Sequence, residues 1–160
     1  MDEEYLLIEG PLYLIGMKIH CWKCQNRMSA VTLMFNYKEE NSQELNEYDR
    51  GENELSLLSG IEYLPDDILK YVTTRVPTFK LTYSKTVQGR YFANTCPSCG
   101  MLSGDFHLHS EPGAPFFPTS PEEASELYIT EVPYNAPAKV IAGLHFGSGD
   151  LIIENARKIT

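Results

Sequence analysis

Two Cys-x-x-Cys pairs constrain this chain more than any other feature of its sequence. They occupy residues 21–24 (Cys-Trp-Lys-Cys) and 96–99 (Cys-Pro-Ser-Cys), and they use all four cysteines of the 160 residues. Each tight turn can present two thiolates to one ion, and two such turns complete the tetrahedral sulfur set of a structural zinc site. We therefore predict one structural Zn²⁺ per chain, with the ligands Cys21, Cys24, Cys96 and Cys99.

Other uses of the Cys-x-x-Cys pattern fit this sequence less well. A redox dithiol usually opens a helix in a βαβ unit, whereas both pairs here follow and precede strand-like segments. Simple buried thiols would make the two equal spacings a coincidence. Four cysteine ligands saturate zinc and leave no position for water, so catalysis by this metal is not expected. The spacing leaves open whether both pairs share one ion or form half-sites that a second chain completes.

Most of the remaining sequence is typical of β-strands. At 160 residues we expect a single domain, residues 1–160, with a core of its own. Strand patterns occur at 5–8, 12–19, 30–37, 79–86, 90–94, 101–109, 127–132, 139–146 and 151–154, while 55–64 is ambiguous. Helix starts are indicated by Pro65-Asp66-Asp67 and by the capping box Ser120-Pro121-Glu122-Glu123. The predicted fold is α+β and β-rich: an antiparallel sheet with a Cys₄ zinc-ribbon staple and two short helices.

The segments around the cysteines resemble a known family. With knuckles at 20–27 and 95–101 and a glycine after the last cysteine, the pattern resembles the zinc-ribbon group with rubredoxin-like knuckles. The resemblance covers about residues 18–30 and 92–106 and implies a structural zinc. A simple ribbon has a short spacer, whereas 71 residues separate Cys24 from Cys96 here. The segment 91–113 also resembles uncharacterised bacterial proteins, which implies a bacterial origin.

Acidic residues dominate the charge of the chain. The formal net charge is −9, and residues 38–54 carry two basic residues against seven acids, namely Glu39, Glu40, Glu44, Glu47, Asp49, Glu52 and Glu54. Because this segment is polar and has no periodicity, we predict an exposed acidic loop at 38–54 that contacts a partner. An acidic surface repels phosphate groups, so a basic protein is a better partner than nucleic acid. Solubility alone is the plainer explanation of the charge.

One basic segment supports an alternative. Residues 70–90 contain five basic residues, interleaved with tyrosines, and no acid. Basic and aromatic side chains together can follow a phosphate backbone and stack on bases. The alternative is a zinc-ribbon accessory factor that binds nucleic acid, although five positive charges can equally balance the acidic segments.

Asp105, His107 and His109 form a second candidate site. On a strand all three would share one face, because side chains alternate with a period of two. A carboxylate and two imidazoles can bind a metal or perform acid–base chemistry, which would make the chain an enzyme. The plainer interpretation is a polar strand face whose opposite side, with Phe106 and Leu108, faces the core.

These observations lead to one functional hypothesis. No apolar run is long enough to span a bilayer, and the acidic start at residues 1–4 is not typical of a secretory signal, so we expect a cytoplasmic protein. We expect a non-enzymatic protein that acts through protein–protein binding. In its sharper form it is an acidic bacterial immunity or antitoxin-type inhibitor that covers a basic toxin.

Overall fold

The computed structural model describes residues 5–37 and 54–159. Ten strands lie within these ranges: β1 (Leu6–Ile8), β2 (Leu12–His20), β3 (Arg27–Tyr37), β4 (Glu54–Tyr63), β5 (Phe79–Ser84), β6 (Gly89–Thr95), β7 (Leu102–Ser103), β8 (Tyr128–Glu131), β9 (Ala138–Phe146) and β10 (Arg157–Lys158). The same ranges contain four helices: α1 (Asp66–Arg75), α2 (Asp105–His109), α3 (Pro121–Ala124) and α4 (Gly149–Asn155). None of these four helices is long and apolar enough to cross a membrane.

The strands form two sheets. The larger has seven strands in the order β1-β9-β4-β3-β2-β8-β10, and the smaller has the order β5-β6-β7. Neighbouring strands are antiparallel except β8 and β10, so the large sheet is mixed and the small one is antiparallel. The predicted β-rich α+β class is confirmed, with four helices in the described residues where the sequence predicted two.

Both faces of the large sheet are buried. Along β3, Val31, Leu33 and Phe35 point into one core cluster, whereas Ala30 and Met34 point into another. This alternation follows from the period of two, and an uninterrupted apolar strand is expected where helices or a second sheet cover both faces. The first cluster includes apolar residues of α1 and β5, and the second includes residues of α2 and α4.

The two helices predicted from start signals are present. α1 begins at Asp66 after the extended Pro65, as the start signal predicted, and it ends at Arg75. In α3 the backbone N–H of Glu123 donates a hydrogen bond to the Ser120 hydroxyl at 3.2 Å, as the capping box requires. The helix ends at Ala124 and is a single turn long.

Two strand predictions are wrong. Residues 101–109 contain only the two-residue β7 and then helix α2, and residues 151–154 lie within helix α4. In α2 the buried residues are Leu108 and His109, while Phe106 is 65% exposed, which contradicts the alternation expected of a strand. Short apolar segments fit both periods, and packing against the sheet decides between them.

Candidate metal centre

The four cysteines of the chain come together at one point. Their Sγ atoms lie within 4.8 Å of one another, and none forms a disulfide. Cys21 Sγ is 3.6 Å from Cys99 Sγ, and Cys24 Sγ is 3.6 Å from Cys96 Sγ. Since all four belong to one chain, the cluster needs no second copy to complete it.

The two cysteine pairs lie in loops that connect strands. The first loop leaves β2 after His20 and enters β3 at Arg27, and the second joins β6 to β7. Both loops use the same backbone hydrogen bonds. The carbonyl oxygen of the first cysteine accepts a hydrogen bond from the backbone N–H four residues later, which belongs to Gln25 or Gly100. The N–H of the same cysteine donates to the carbonyl oxygen five residues later, which belongs to Asn26 or Met101, and all four distances are 2.8–2.9 Å. The loops are therefore two copies of one local structure.

A left-handed residue follows the second cysteine of each loop. Gly100 has a φ of +79°, where glycine carries no steric penalty, and Gln25 occupies the equivalent position with a φ of +67°. The amide of Gln25 donates to the carbonyl oxygen of Trp22 at 3.3 Å, which ties the side chain to its own loop. Gln25 therefore adopts a backbone conformation that is typical of glycine.

Backbone N–H groups point at the sulfur atoms. The N–H groups of Lys23 and Ser98 each donate to the first cysteine of their loop at 3.4 Å. The backbone N–H of Cys99, together with that of Ser98, lowers the pKa of Cys96 to about 6 against the opposing effect of burial. The N–H of Cys24 likewise lowers the pKa of Cys21. These donors stabilise thiolates, the form in which cysteine binds metals.

Cys24 differs from its neighbours. The N–H of Asn26 favours its thiolate, but burial and the three adjacent cysteines outweigh that effect and raise its pKa to about 11. Four thiolates this close repel one another, so the set is stable in the ionised form only with a cation among them. In a tetrahedral site with Zn–S bonds of about 2.3 Å, neighbouring sulfurs are about 3.8 Å apart. The two 3.6 Å distances are close to that spacing.

The cluster connects the two sheets. Cys21 and Cys24 follow a strand of the large sheet, whereas Cys96 and Cys99 follow a strand of the small one. Cys21 and Cys96 are buried together with Met28, apart from the two larger core clusters. A metal ion at this position would cross-link segments that are more than 70 residues apart in sequence.

Trp22 provides a further link that sequence reasoning missed. Its indole N–H donates to the carbonyl oxygen of Leu102 at 2.9 Å, so the first loop is bonded to the strand that leaves the second. The ring is otherwise exposed, at 59%. A tryptophan within a Cys-x-x-Cys pair is a signal that could have drawn attention to it.

The structure separates the second candidate site. Asp105 and His107 line a cavity beside the first cysteine loop, whereas the ring of His109 lies in the core. His109 stacks on His145 with ring centroids 5.0 Å apart, and its Nδ1 has no hydrogen-bond partner among the described residues. Burial, and secondarily His145, lower the pKa of His109 to about 3. The sequence predicted that these three residues share one face of a strand, and this prediction is wrong: they lie in helix α2, and His109 points away from the cavity that Asp105 and His107 line.

The acidic segment falls almost wholly outside the described residues. Glu54 is the first residue of β4 and is half-buried. The other predicted partner-binding residues lie beyond the ranges described, namely Glu39, Glu40, Glu44, Glu47, Asp49 and Glu52. No protein-family model, curated protein or solved structure matches this chain.

Proposed function

We propose that the four cysteines bind one Zn²⁺ per chain and that this ion is structural. The observation that carries the proposal is the convergence of four thiols within 4.8 Å from two loops with the same pattern of backbone hydrogen bonds. A site of four sulfurs is typical of zinc. Because four thiolates fill a tetrahedral site, the ion has no open position for catalysis. Because the ligands follow strands of different sheets, the ion holds the two sheets together.

Metal analysis of the purified chain tests this proposal. We expect one equivalent of zinc in the wild type, and none or a small fraction in Cys24→Ser and Cys99→Ser. Ser98→Ala is the matched control, since it changes the same loop but leaves the backbone donor to Cys96 in place. Substitution with Co²⁺ should give the intense visible bands of tetrahedral thiolate coordination. A wild-type chain without bound metal, or serine variants that retain it, would contradict the assignment.

We propose further that the zinc-stabilised chain acts by binding a basic protein, in the manner of an immunity protein or antitoxin. The net charge of −9 supports a basic partner. Residues 101–138 carry six acids and no lysine or arginine, and five of these acids are exposed: Glu111, Glu122, Glu123, Glu126 and Glu131. The negative charges of such a surface would speed the encounter with a basic partner and would repel nucleic acid.

Affinity capture from the native host tests the partner proposal. We expect the tagged, zinc-loaded protein to retain one basic protein in stoichiometric amount. Glutamine substitution at residues 122, 126 and 131, or at 39, 40, 44 and 47, should weaken that complex and reduce its dependence on salt. Glutamine substitution of the basic residues at 70, 80 and 85 serves as the opposite control. Retention of nucleic acid instead, with loss in the control variant, would support the accessory-factor alternative.

A further inference from the structure

A cavity of about 560 Å³ lies beside the cysteine cluster. Its walls come from the first cysteine loop, the turn between β5 and β6, and helix α2. Three large apolar side chains that are more than half exposed line it: Trp22, Val87 and Phe106. The volume is within the range of small-molecule sites, which are typically apolar with a few fixed polar groups.

The fixed polar group of this cavity is Asp105. Its Oδ2 accepts a hydrogen bond from the backbone N–H of Gly60 at 2.6 Å, and its own N–H donates to the Tyr91 hydroxyl at 3.2 Å. Gly60 lies in the irregular part of β4, between Ser59 and Tyr63, with a φ of +54°. Bulges of this kind often redirect groups beside functional sites. The β4 irregularity thus supplies the donor that orients the carboxylate.

Only one of the two Asp105 oxygens is engaged. Among the described residues, Oδ1 has no hydrogen-bond partner. Burial raises the pKa of Asp105 to about 6, although the Gly60 N–H opposes this shift. A carboxylate held in this way destabilises the free protein at neutral pH, and perturbed groups of this kind concentrate at binding and catalytic sites.

The other charged groups of the lining are at its rim. Glu62, Arg90 and His107 are exposed, and the first two have opposite charges. Water and salt screen exposed charges far more than a buried one. The Tyr91 hydroxyl is neutral, since burial and Asp105 raise its pKa. Asp105 therefore sets the preference of the cavity floor, which is for a cation or a hydrogen-bond donor.

We propose that this cavity binds an organic cation, a protonated amine attached to an apolar body. The ammonium group would donate to Asp105, and the apolar body would lie against Trp22 and Phe106. Aromatic faces also attract cations directly, which adds to the same preference. A free amine and the lysine side chain of a polypeptide share this chemistry. The lining of this cavity includes none of the exposed glutamates of residues 101–138 that are proposed above to bind a basic protein.

The metal centre and the cavity share one wall. Trp22 lies between Cys21 and Cys24, and its bond to the Leu102 carbonyl holds the indole at the cavity edge. It also lines a second, adjoining cavity together with His20 and His107. Because it is the only tryptophan in the chain, its fluorescence reports on this wall alone.

Titration of the zinc-loaded full chain with 2-phenylethylamine tests the proposal. Calorimetry and Trp22 fluorescence should both detect binding, and the uncharged 2-phenylethanol should bind at least about tenfold more weakly because it lacks the charge. N-acetyl-lysine methylamide distinguishes the two sources of the cation. Tighter binding of this capped lysine assigns the site to a polypeptide side chain, and tighter binding of phenylethylamine assigns it to a free amine.

Two variants locate the ligand. Asp105→Asn should weaken the amine about tenfold or more and leave the alcohol unchanged, whereas Asp150→Asn, an exposed aspartate on α4, should change neither. Phe106→Ala removes an exposed side chain and should weaken both ligands without affecting folding. In the wild type the amine should bind more tightly at pH 8 than at pH 5, and this difference should disappear in Asp105→Asn. Equal binding of amine and alcohol, no binding of any probe, or an unaffected Asp105→Asn would overturn the proposal.

Discussion

The side-chain amide of Asn94 forms hydrogen bonds with both the backbone N–H and the backbone carbonyl oxygen of Val31. The Val31 N–H donates to Oδ1 at 2.8 Å, and Nδ2 donates to the Val31 carbonyl oxygen at 3.0 Å. Val31 lies on β3 outside the segment that pairs with β4, which covers Met34–Tyr37. The buried amide thus takes the place of a neighbouring strand and joins the small sheet to the large one. The cysteine cluster makes a second junction between the same sheets.

Replacing Asn94 with aspartate should weaken this junction. The substitution keeps the shape but removes the donor and places an acceptor opposite the Val31 carbonyl oxygen. Leaving buried groups of this kind unsatisfied costs about 1–3 kcal/mol, and more for a charged group. We expect the free energy of unfolding, measured by chemical denaturation, to fall by at least about 2 kcal/mol. The exposed Asn135→Asp is the control, and an equal, small effect of both substitutions would disprove the role of Asn94.

Substitution of the left-handed residue should affect the stability of the two cysteine loops to different extents. Gly100→Ala places a side chain at a φ of +79° and should cost about 1 kcal/mol, because only glycine adopts this region freely. Gln25→Gly removes the steric strain of the left-handed conformation in the first loop, but it also increases the conformational entropy of the unfolded chain. The two effects oppose each other, so we expect the free energy of unfolding to change by no more than about 0.5 kcal/mol. Thermal unfolding of the zinc-loaded variants measures both. A harmless Gly100→Ala would show that the left-handed conformation carries no steric cost at this position.

His109 should make the fold sensitive to acid. Its pKa is about 3 in the folded protein and near 6.5 when unfolded, so the folded state binds fewer protons. The stability it contributes is complete above pH 6.5 and is lost as the pH falls from about 6.5 towards 3. Between pH 7.5 and pH 5, the free energy of unfolding of the wild type should fall by about 2 kcal/mol relative to that of His109→Leu.

The measurement for His109 is the difference in unfolding free energy between wild type and variant at each pH. Burial lowers the pKa of His145 as well, so His145→Gln should show a smaller effect of the same sign. A constant difference between wild type and His109→Leu across this range would show that the ring is not buried in the neutral form.

Asp105 should act in the opposite sense. Its pKa is raised from 3.8 to about 6, so the folded state binds the proton more tightly, and the stability gained is lost as the pH rises from about 3.8 through 6. Asp105→Asn retains an acceptor for the Gly60 N–H but cannot ionise. As the pH rises from 4 to 8, we expect the free energy of unfolding of the variant to increase by about 2–3 kcal/mol relative to that of the wild type. Denaturation curves at the two pH values test this, and a variant less stable than wild type at pH 8 would contradict it.

The sequence predicted those features that depend on local chemistry. Equal Cys-x-x-Cys spacings predicted the cluster, and proline with adjacent acids predicted the starts of α1 and α3. The strand patterns at 79–86 and 90–94 correspond to β5 and β6, which pair as antiparallel neighbours. In each case the residues that carry the signal are neighbours in the chain.

Features that depend on tertiary packing were beyond prediction. Phe106 and Leu108 fit a strand as well as a helix, and only the burial of His109 against His145 and Phe116 distinguishes them. The apolar run at residues 151–153 is equally ambiguous, and its helix is explained by Ile152 packing into the second core cluster. No sequence pattern indicates that Asn94 reaches Val31, since the two residues are 63 positions apart in the chain.

The most direct test of the zinc cross-link is the unfolding temperature of the zinc-loaded chain before and after removal of the metal by a chelator. Because metal binding and folding are linked, we predict a large fall in the unfolding temperature on chelation, restored by added Zn²⁺. Cys96→Ser should unfold at the lower temperature with or without chelator. An unfolding temperature that chelation leaves unchanged, in a wild type shown to have lost its metal, would contradict the central claim that zinc holds the two sheets together.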